Sequence, residues 1–428
     1  MSEPDQEAVE QCDQPTVIVR MADAGDVYVS WRWVDGTAAP GVSVLPGDDI
    51  DAAVRDLTAA LPAPETAGGL EKALTSGAFA TPASEYELGR TLSRALLPVT
   101  LAGQLYDLYR RGVRPHIRLQ PSPRVAQVPW EIIAPDRDVR LIDFADVSLL
   151  APAGIVHAPV RVPRSWPVSR DLPVVAVLDP RVPGFRADSA LGSVLGRMDR
   201  PTPLTTRIAG HLAAGRLRPS AAEPSGVFRR TDLDRAWLSR TLRAGASRLI
   251  YVGHVTAAPP ESGQSENTEL HLACTAGAVG FAEAQRDHRP LSAKDLLLGT
   301  YTLEPEPVAG HELWPIPARV ALIACESGGD LRFTEALGLT AAMITGGAEL
   351  VTATRWPLPT DLAYQRFGAT PGATPLQDAI CAVDAAHDEP DPVRYLTAWQ
   401  RERLRAWRET GAVEHSPLLW SALATFTT

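Results

Sequence analysis

The stretch that decides the fold is Val320-Ala321-Leu322-Ile323-Ala324-Cys325-Glu326-Ser327-Gly328-Gly329. Its first five residues are apolar, and an apolar run of this length predicts a buried β-strand. Cys325 follows this strand directly, and the two glycines predict a flexible turn before a helix over residues 333–344. The sequence therefore predicts a thiol at the end of a buried strand, close to the N-terminus of a helix.

A second stretch, Leu249-Ile250-Tyr251-Val252-Gly253-His254, has the same arrangement with an imidazole at its end. In an α/β sheet the carboxyl ends of parallel strands meet at one edge, and such folds bind their ligands there. We therefore expect His254 and Cys325 to converge at that edge, although they are far apart along the chain.

A thiol beside an imidazole is a pair suited to nucleophilic catalysis. A free Cys has a pKa of roughly 8.5, so little of it is thiolate near pH 7. A neighbouring imidazole takes up the proton, a helix dipole favours the anion, and backbone N–H groups of a glycine-rich turn bind an oxyanion. The structural alternative is that His254 is an ordinary strand-end histidine and Cys325 a small buried hydrophobe. From these residues alone, both interpretations stay open.

The segments around these two stretches predict an α/β fold. Runs rich in β-branched residues alternate with helical periodicity, which is typical of a mostly parallel sheet flanked by helices on both faces. The predicted strands are residues 114–119, 147–151, 173–178, 248–255, 319–324 and 349–354. The predicted helices are residues 85–96, 101–111, 231–244, 333–344, 376–386 and 392–409. The long connection over residues 256–310 is expected to carry binding or lid functions.

Residues 16–84 are expected to form a small N-terminal α+β extension. Residues 16–20 and 27–33 flank a turn-like Ala-Gly-Asp and predict a hairpin, and residues 49–61 have helical periodicity. Residues 61–70 contain Pro and Gly and predict a loop. Residues 1–15 are polar and acidic, and we expect them to be disordered.

The charge and the cysteine pattern exclude several classes of protein. The formal net charge of -10 argues against a nucleic acid or an anionic membrane as the main partner, since both require a concentrated basic surface. The acidic N-terminus is neither a signal peptide nor a transit peptide, and four scattered cysteines form no disulfide framework. We therefore expect a reduced, cytoplasmic protein.

No cofactor or metal is expected either. The sequence contains neither of the glycine-rich patterns that bind phosphates. Cys274 and His271 are the one pair with metal-ligand spacing, but two ligands without a third make a zinc site improbable. Cys12 and Cys381 are interpreted as structural or incidental.

Several segments, in the right order, resemble the CHAT domain family of caspase-like cysteine peptidases, which are related to separases and caspases. Residues 128–132 (Val-Pro-Trp-Glu-Ile) resemble the family's LPWE segment, and residues 320–328 resemble its LSAC-x-SG nucleophile strand. The other similar segments, within a resemblance that extends over residues 85–428, are 172–180, 249–254, 291–296, 347–348, 352–361 and 415–422, the last resembling the closing strand.

The resemblance implies a caspase-like fold with an N-terminal, pseudo-caspase part over residues 85–165 and a catalytic part over residues 166–428. It further implies that Cys325 is the nucleophile and His254 the general base, with backbone N–H groups at Gly253, Val255 and Glu326 binding the oxyanion. One position departs from the family pattern. Val255 stands where the family usually has Gly, and its β-branched side chain restricts the backbone and is expected to crowd a substrate.

Four residues are candidates for the substrate pocket. Asp361 occupies the position of a family acidic residue and would select a basic side chain before the scissile bond. Its alternative role is the N-cap of a helix that begins at residue 362. Glu326 and Asp330 either line the same pocket or cap the next helix, and Trp356 either lines the pocket or belongs to the core.

The resemblance implies a cysteine endopeptidase that cleaves a specific protein partner. Regulated cleavage within bacterial defence or cell-death modules is typical of the family, and here a separate protein would act as the sensor or activator. The first alternative is a catalytically inactive interaction module, a pseudo-protease, which Val255 favours. The second is a small-molecule hydrolase or acyltransferase that uses the same Cys and His.

Overall fold

The computed structural model describes residues 14–63, 66–325, 327–333 and 337–428. The expectation of disorder for residues 1–15 therefore falls almost entirely outside the described residues, as do Cys12 and Glu326. Within the described ranges the strands are β1 Thr16–Ala24, β2 Asp26–Trp33, β3 Gly41–Leu45, β4 His116–Gln120, β5 Asp146–Leu150, β6 Val174–Leu178, β7 Leu217–Arg218, β8 Arg248–Val252, β9 Val255–Thr256, β10 Glu269–Leu270, β11 Leu291–Ser292, β12 Arg319–Ile323, β13 Leu350–Thr354 and β14 Leu423–Thr427.

The α-helices of the same ranges lie mostly between these strands. They are α1 Gly47–Ala60, α2 Gly69–Thr75, α3 Pro82–Leu96, α4 Val99–Arg110, α5 Leu141–Phe144, α6 Ala153–Val156, α7 Trp166–Ser169, α8 Pro203–Ala213, α9 Arg235–Arg243, α10 Ala293–Leu298, α11 Gly310–Leu313, α12 Leu339–Thr345, α13 Asp361–Arg366, α14 Pro375–Ala386, α15 Pro392–Thr410 and α16 Pro417–Trp420.

Eleven strands form one sheet in the order β3-β2-β1-β4-β5-β14-β13-β12-β8-β6-β7. Seven of its ten neighbouring pairs are parallel; the antiparallel pairs are β2 with β3, β1 with β2, and β13 with β14. All five residues are buried in each of β6, β8, β12 and β13. A strand that is buried along its whole length is covered on both faces, so the predicted α/β fold with a mostly parallel sheet is confirmed.

The N-terminal extension continues this sheet. The hairpin of β1 and β2 is confirmed, with Ala24 opposite Asp26 and a left-handed Gly25 at the turn. β1 also pairs in parallel with β4, which aligns Thr16 with His116. The strands of residues 16–84 therefore extend the main sheet at one edge, and do not form a sheet of their own.

Three boundaries differ from the predicted ones. The predicted strand over residues 248–255 is divided: β8 ends at Val252, and β9 belongs to a separate three-stranded sheet of order β11-β10-β9. In place of a helix over 333–344 the structure has a short 3-10 helix, Gly329–Arg332, and then α12. The closing strand is β14, after the residues 415–422 that were expected to form it, because Pro417 opens the short helix α16 there.

Within the described residues, no helix is both long enough and apolar enough to cross a membrane.

Candidate active site

His254 and Cys325 follow two neighbouring parallel strands at the carboxyl edge of the sheet. β8 and β12 are hydrogen-bonded partners, and the register pairs Val252 with Ile323. The backbone N–H of Gly253 continues the ladder with a bond to the carbonyl of Ile323, at 3.4 Å. Each candidate residue lies two positions beyond this register pair, in the segment that follows its strand, and the two strands are about 4.8 Å apart.

The ring of His254 is oriented by a backbone carbonyl. Its Nε2 lies 3.0 Å from the carbonyl oxygen of Gly192. Because a carbonyl oxygen only accepts hydrogen bonds, Nε2 carries the proton and Nδ1 is left as the basic nitrogen. Burial lowers the pKa of His254, although the Gly192 bond and the charge of Asp179 oppose this effect. The imidazole is therefore neutral near pH 7, the form that a general base requires.

The thiol of Cys325 is half-buried and is protonated at rest. Burial raises its pKa above the ordinary value, while the backbone N–H groups of Leu358 and of Cys325 itself oppose that rise. The described side chains of Cys325 and His254 make no hydrogen bond with each other. The resting state of the two residues is thus a neutral thiol and a neutral imidazole, and not a preformed ion pair.

Tyr251 supports the histidine from within the sheet. Its buried hydroxyl lies 2.6 Å from the carbonyl oxygen of His254 and 2.9 Å from that of His271. A Cβ atom at position 253 would lie 2.8 Å from this hydroxyl, so only Gly253 permits the close approach. The N–H of Gly253 is directed to Ile323 within the sheet. The expected role of Gly253 as an oxyanion donor stays a prediction, which would require this N–H to turn away from Ile323.

Val255 is packed into the protein. It pairs with Leu270 across β9 and β10, is 7% exposed and belongs to the hydrophobic core. The N–H of His271 bonds to the carbonyl of His254 at 3.1 Å, which makes the neighbouring pair of Val255 and Leu270 the non-hydrogen-bonded kind. The N–H of Val255 therefore points away from β10, while its side chain is held in the core.

Asp361 is bound by the first turn of α14. Its carboxylate accepts hydrogen bonds from the backbone N–H of Leu376 at 2.7 Å and from the side chain of Gln377 at 3.1 Å. Burial raises the pKa of Asp361. The cap of α13 itself is Thr360, so the alternative role as N-cap of that helix is displaced by one residue. Asp361 therefore holds two helices together, and its carboxylate is not presented freely to a basic substrate.

Asp330 and Trp356 are likewise engaged within the protein. Both carboxylate oxygens of Asp330 accept backbone N–H bonds in the first turn of α12, from Thr340 at 3.3 Å and Ala341 at 2.8 Å. Burial nevertheless raises the pKa of Asp330 to about 6. Trp356 is fully buried, stacks on Phe79 and donates to a backbone carbonyl. The helix-cap role of Asp330 and the core role of Trp356, each an alternative from the sequence, are the ones observed.

Glu131 connects the N-terminal half to the loop that follows β13. It lies in the Val-Pro-Trp-Glu-Ile segment and forms a buried ion pair with Arg355, at 3.1 Å. Arg355 also donates to the carbonyls of Ser421 and Leu423. The same loop carries Leu358, whose N–H contacts the Cys325 thiol. The ion pair therefore fixes the base of a loop that borders Cys325.

The residues considered for zinc have other partners. The Cys274 sulfur accepts from the backbone N–H of Arg235, and His271 bonds through its two ring nitrogens to His288 and Thr256. Among the described residues there is no group of three or more potential metal ligands.

The sequence analysis did not single out Asp179, Arg229 or the loop over residues 186–199. Asp179 is buried at the end of β6, and Arg229 bonds to it at 3.3 Å. Arg229 and Ser193 also border a cavity of about 790 Å³, and the exposed Leu362 lines the same cavity. The signal was present, because a charged residue directly after a buried strand is the pattern that singled out His254.

Comparison with known proteins identifies the family. The model of the CHAT domain matches residues 86–369. No curated protein matches the chain. Two structures of the Saccharomyces cerevisiae separase–securin complex are similar to it at 8% and 9% identity, with TM-scores of 0.47 and 0.48. These similarities cover 97% and 96% of this chain but 30% of the separase–securin chain in each case. Because the family model matches well over half of the chain, this protein belongs to the CHAT domain family.

Proposed function

We propose that this chain is a cysteine endopeptidase in which His254 is the general base and Cys325 the nucleophile. The observation that carries the proposal is that the two residues follow paired parallel strands, each two positions beyond the register pair of Val252 and Ile323. The Gly192 carbonyl adds to it, because it leaves Nδ1 of the imidazole free to accept a proton.

The reaction follows from the resting protonation states. His254 Nδ1 accepts the thiol proton as the Cys325 sulfur attacks the carbonyl carbon of the peptide bond. The tetrahedral oxyanion then collapses, the C–N bond breaks, and the imidazolium returns its proton to the leaving amine. Water hydrolyses the remaining thioester by the same base. The N–H of Val255, which points away from β10, is a candidate oxyanion donor.

The substrate is proposed to be a segment of a protein partner that lies in the cavity beside this edge. The cavity contains the side chains of Arg186, Arg197 and Arg229 together with those of two aspartates. Because the Asp361 carboxylate is bound by α14, the selection of a basic side chain by Asp361 is not part of the proposal. Control by a separate sensor protein remains a proposal that follows from the family.

A library of peptides from a digested proteome tests the proposal without knowledge of the partner. New peptide termini are identified by mass spectrometry after incubation with the wild type and with Cys325→Ala. Cys381→Ala is the matched control, since Cys381 is a half-buried cysteine of α14. We expect cleavage by the wild type and the control and none by Cys325→Ala. Cleavage that persists in Cys325→Ala would overturn the assignment of the nucleophile.

A non-catalytic interaction module is the second candidate. It is favoured by the protonated resting thiol and by the lack of a hydrogen bond between the described side chains of His254 and Cys325. In that case neither the wild type nor Cys325→Ala produces new peptide termini, and both bind the partner with equal affinity.

A further inference from the structure

Asp179 organises the loop that reaches His254. It follows β6 directly, is 1% exposed and has a left-handed backbone with φ of 49°. Its carboxylate accepts from the hydroxyl of Ser193 at 2.5 Å and from the backbone N–H groups of Val194 at 3.2 Å and Leu195 at 3.4 Å. Three successive residues of the loop are therefore tied to one buried carboxylate, immediately after Gly192.

Arg229 joins that carboxylate to the carbonyl that orients the histidine. Its Nη1 donates to Asp179 at 3.3 Å and to the carbonyl oxygen of Gly192 at 3.0 Å. The same carbonyl oxygen accepts from His254 Nε2 at 3.0 Å. The Gly192 carbonyl thus accepts two hydrogen bonds, one from the fixed guanidinium and one from the imidazole.

Both charged residues have an unusual backbone at this point. Arg229, like Asp179, is a non-glycine residue in the left-handed region, with φ of 53°. Such conformations are unfavourable and persist where the surrounding structure requires them, often at functional sites. Here they bring the two charges together at the end of β6 and next to the candidate base.

We propose that Asp179 and Arg229 are positioning residues, which hold the Gly192 carbonyl so that His254 keeps its proton on Nε2 and offers Nδ1 to Cys325. This inference rests on the proposed function, because it assigns the two residues a role in orienting that general base. Neither residue is assigned contact with the reacting atoms, so both act through the Gly192 carbonyl.

The charges around the imidazole make the effect measurable. The Asp179 carboxylate raises the pKa of His254 and the Arg229 guanidinium lowers it. The other titratable groups near His254 are Tyr251 and His271, which bond to its backbone carbonyl, while Cys325 follows the neighbouring strand β12. Removal of either charge therefore shifts the pKa of His254 in a direction that depends on the charge removed.

The test reads the histidine directly by NMR in full-length protein with 15N-labelled histidine. The imidazole nitrogens distinguish the two tautomers, and the signals of His254 are assigned by their loss in His254→Gln. We expect the Nε2–H tautomer in the wild type, and a mixture of tautomers in Asp179→Asn and Arg229→Gln. The pKa of His254 should rise in Arg229→Gln and fall in Asp179→Asn. Alkylation of Cys325 by iodoacetamide at pH 7 should slow by roughly two-fold or more in both variants, because in a mixture of tautomers only the Nε2–H form offers Nδ1 to the thiol.

Arg230→Gln is the matched control. Arg230 is the residue after Arg229, but its guanidinium pairs with the exposed Asp232 and not with Asp179 or Gly192. It should leave the tautomer, the pKa of His254 and the alkylation rate unchanged. If Asp179→Asn does not fold, the partly exposed Arg229→Gln answers the question by itself.

The outcomes separate this inference from the proposed function. An unchanged Nε2–H tautomer in folded Arg229→Gln would overturn the positioning role, whether or not peptides are cleaved. If the two variants change the tautomer of His254 but the wild type cleaves no peptide, the positioning role is supported and the endopeptidase activity is contradicted. An alkylation rate that falls equally in Arg230→Gln would show that general loosening of this segment, and not the loss of the Asp179 or Arg229 charge, is responsible, and would also overturn the proposal.

Discussion

His254 and Cys325 each lie two residues beyond the register pair of Val252 and Ile323, at the carboxyl ends of two hydrogen-bonded parallel strands. The pairing of β8 with β12 thus brings the ends of two strands that are distant along the chain to the same edge of the sheet. The chemistry then depends on how the side chains are oriented, and the surrounding contacts lead to the following predictions.

The hydroxyl of Tyr251 is expected to position His254. Tyr251→Phe removes the donor to the carbonyls of His254 and His271, so we expect a lower rate of peptide cleavage with little change in KM. The free energy of unfolding should fall by about 1–2 kcal/mol, since a buried acceptor loses its partner. Steady-state kinetics and urea denaturation measure the two effects.

Tyr364→Phe is the control for this prediction. Tyr364 is also fully buried, but among the described residues its hydroxyl has no hydrogen-bond partner. Its removal should leave both cleavage and stability unchanged or improve stability. Equal behaviour of the two variants would contradict a positioning role for Tyr251.

Val255→Gly tests whether the valine obstructs the site. Because its side chain is buried in the core, the change should lower the free energy of unfolding by about 3 kcal/mol and should not increase cleavage. The control is Val42→Gly, at an 82% exposed position of the edge strand β3. It should lower the free energy of unfolding by no more than about 1 kcal/mol. A rise in cleavage without loss of stability in Val255→Gly would show that the valine crowds the substrate.

Asp361→Asn should change stability and leave the preference for substrate charge unaltered. The amide keeps one oxygen that accepts a hydrogen bond from the first turn of α14, so we expect the free energy of unfolding to fall by about 1 kcal/mol. Burial raises the folded-state pKa of Asp361 above 3.8, so its contribution to stability is complete below pH 3.8 and is lost as the pH rises through the folded-state pKa.

The difference in the free energy of unfolding between the wild type and Asp361→Asn should therefore become smaller as the pH rises. Denaturation at several pH values measures this difference. A switch in substrate charge preference in this variant would instead place the carboxylate in the substrate pocket.

The ion pair of Glu131 and Arg355 should be important for stability. Glu131→Gln leaves the Arg355 charge buried with a neutral partner, which typically costs about 3–5 kcal/mol. The control is Glu87→Gln, which removes the partner of Arg90 in a partly exposed ion pair. It should lower the free energy of unfolding by less than about 1 kcal/mol. Similar melting temperatures for the two variants would contradict the structural role of the buried pair.

The strand ends could be predicted from the sequence because burial on both faces leaves a continuous apolar run, as in β8 and β12. The sequence could not show that Gly253 uses its N–H within the sheet, since this depends on the neighbouring Ile323. The sequence could not assign the role of Asp361 either. The N–H group that donates to its carboxylate belongs to the first turn of α14, and a local sequence pattern does not show which later helix packs against a residue. Interactions between distant segments thus determine the hydrogen-bond partners of these two residues.

The central claim is that His254 deprotonates Cys325, and the most direct test is the rate at which a peptidyl chloromethyl ketone modifies Cys325. We predict that His254→Ala lowers this rate at pH 7 by roughly 100-fold or more, because a general base contributes that much to a proton transfer. Mass spectrometry should locate the label on Cys325 in the wild type. A rate in His254→Ala within about two-fold of the wild type, from a correctly folded protein, would contradict the dyad.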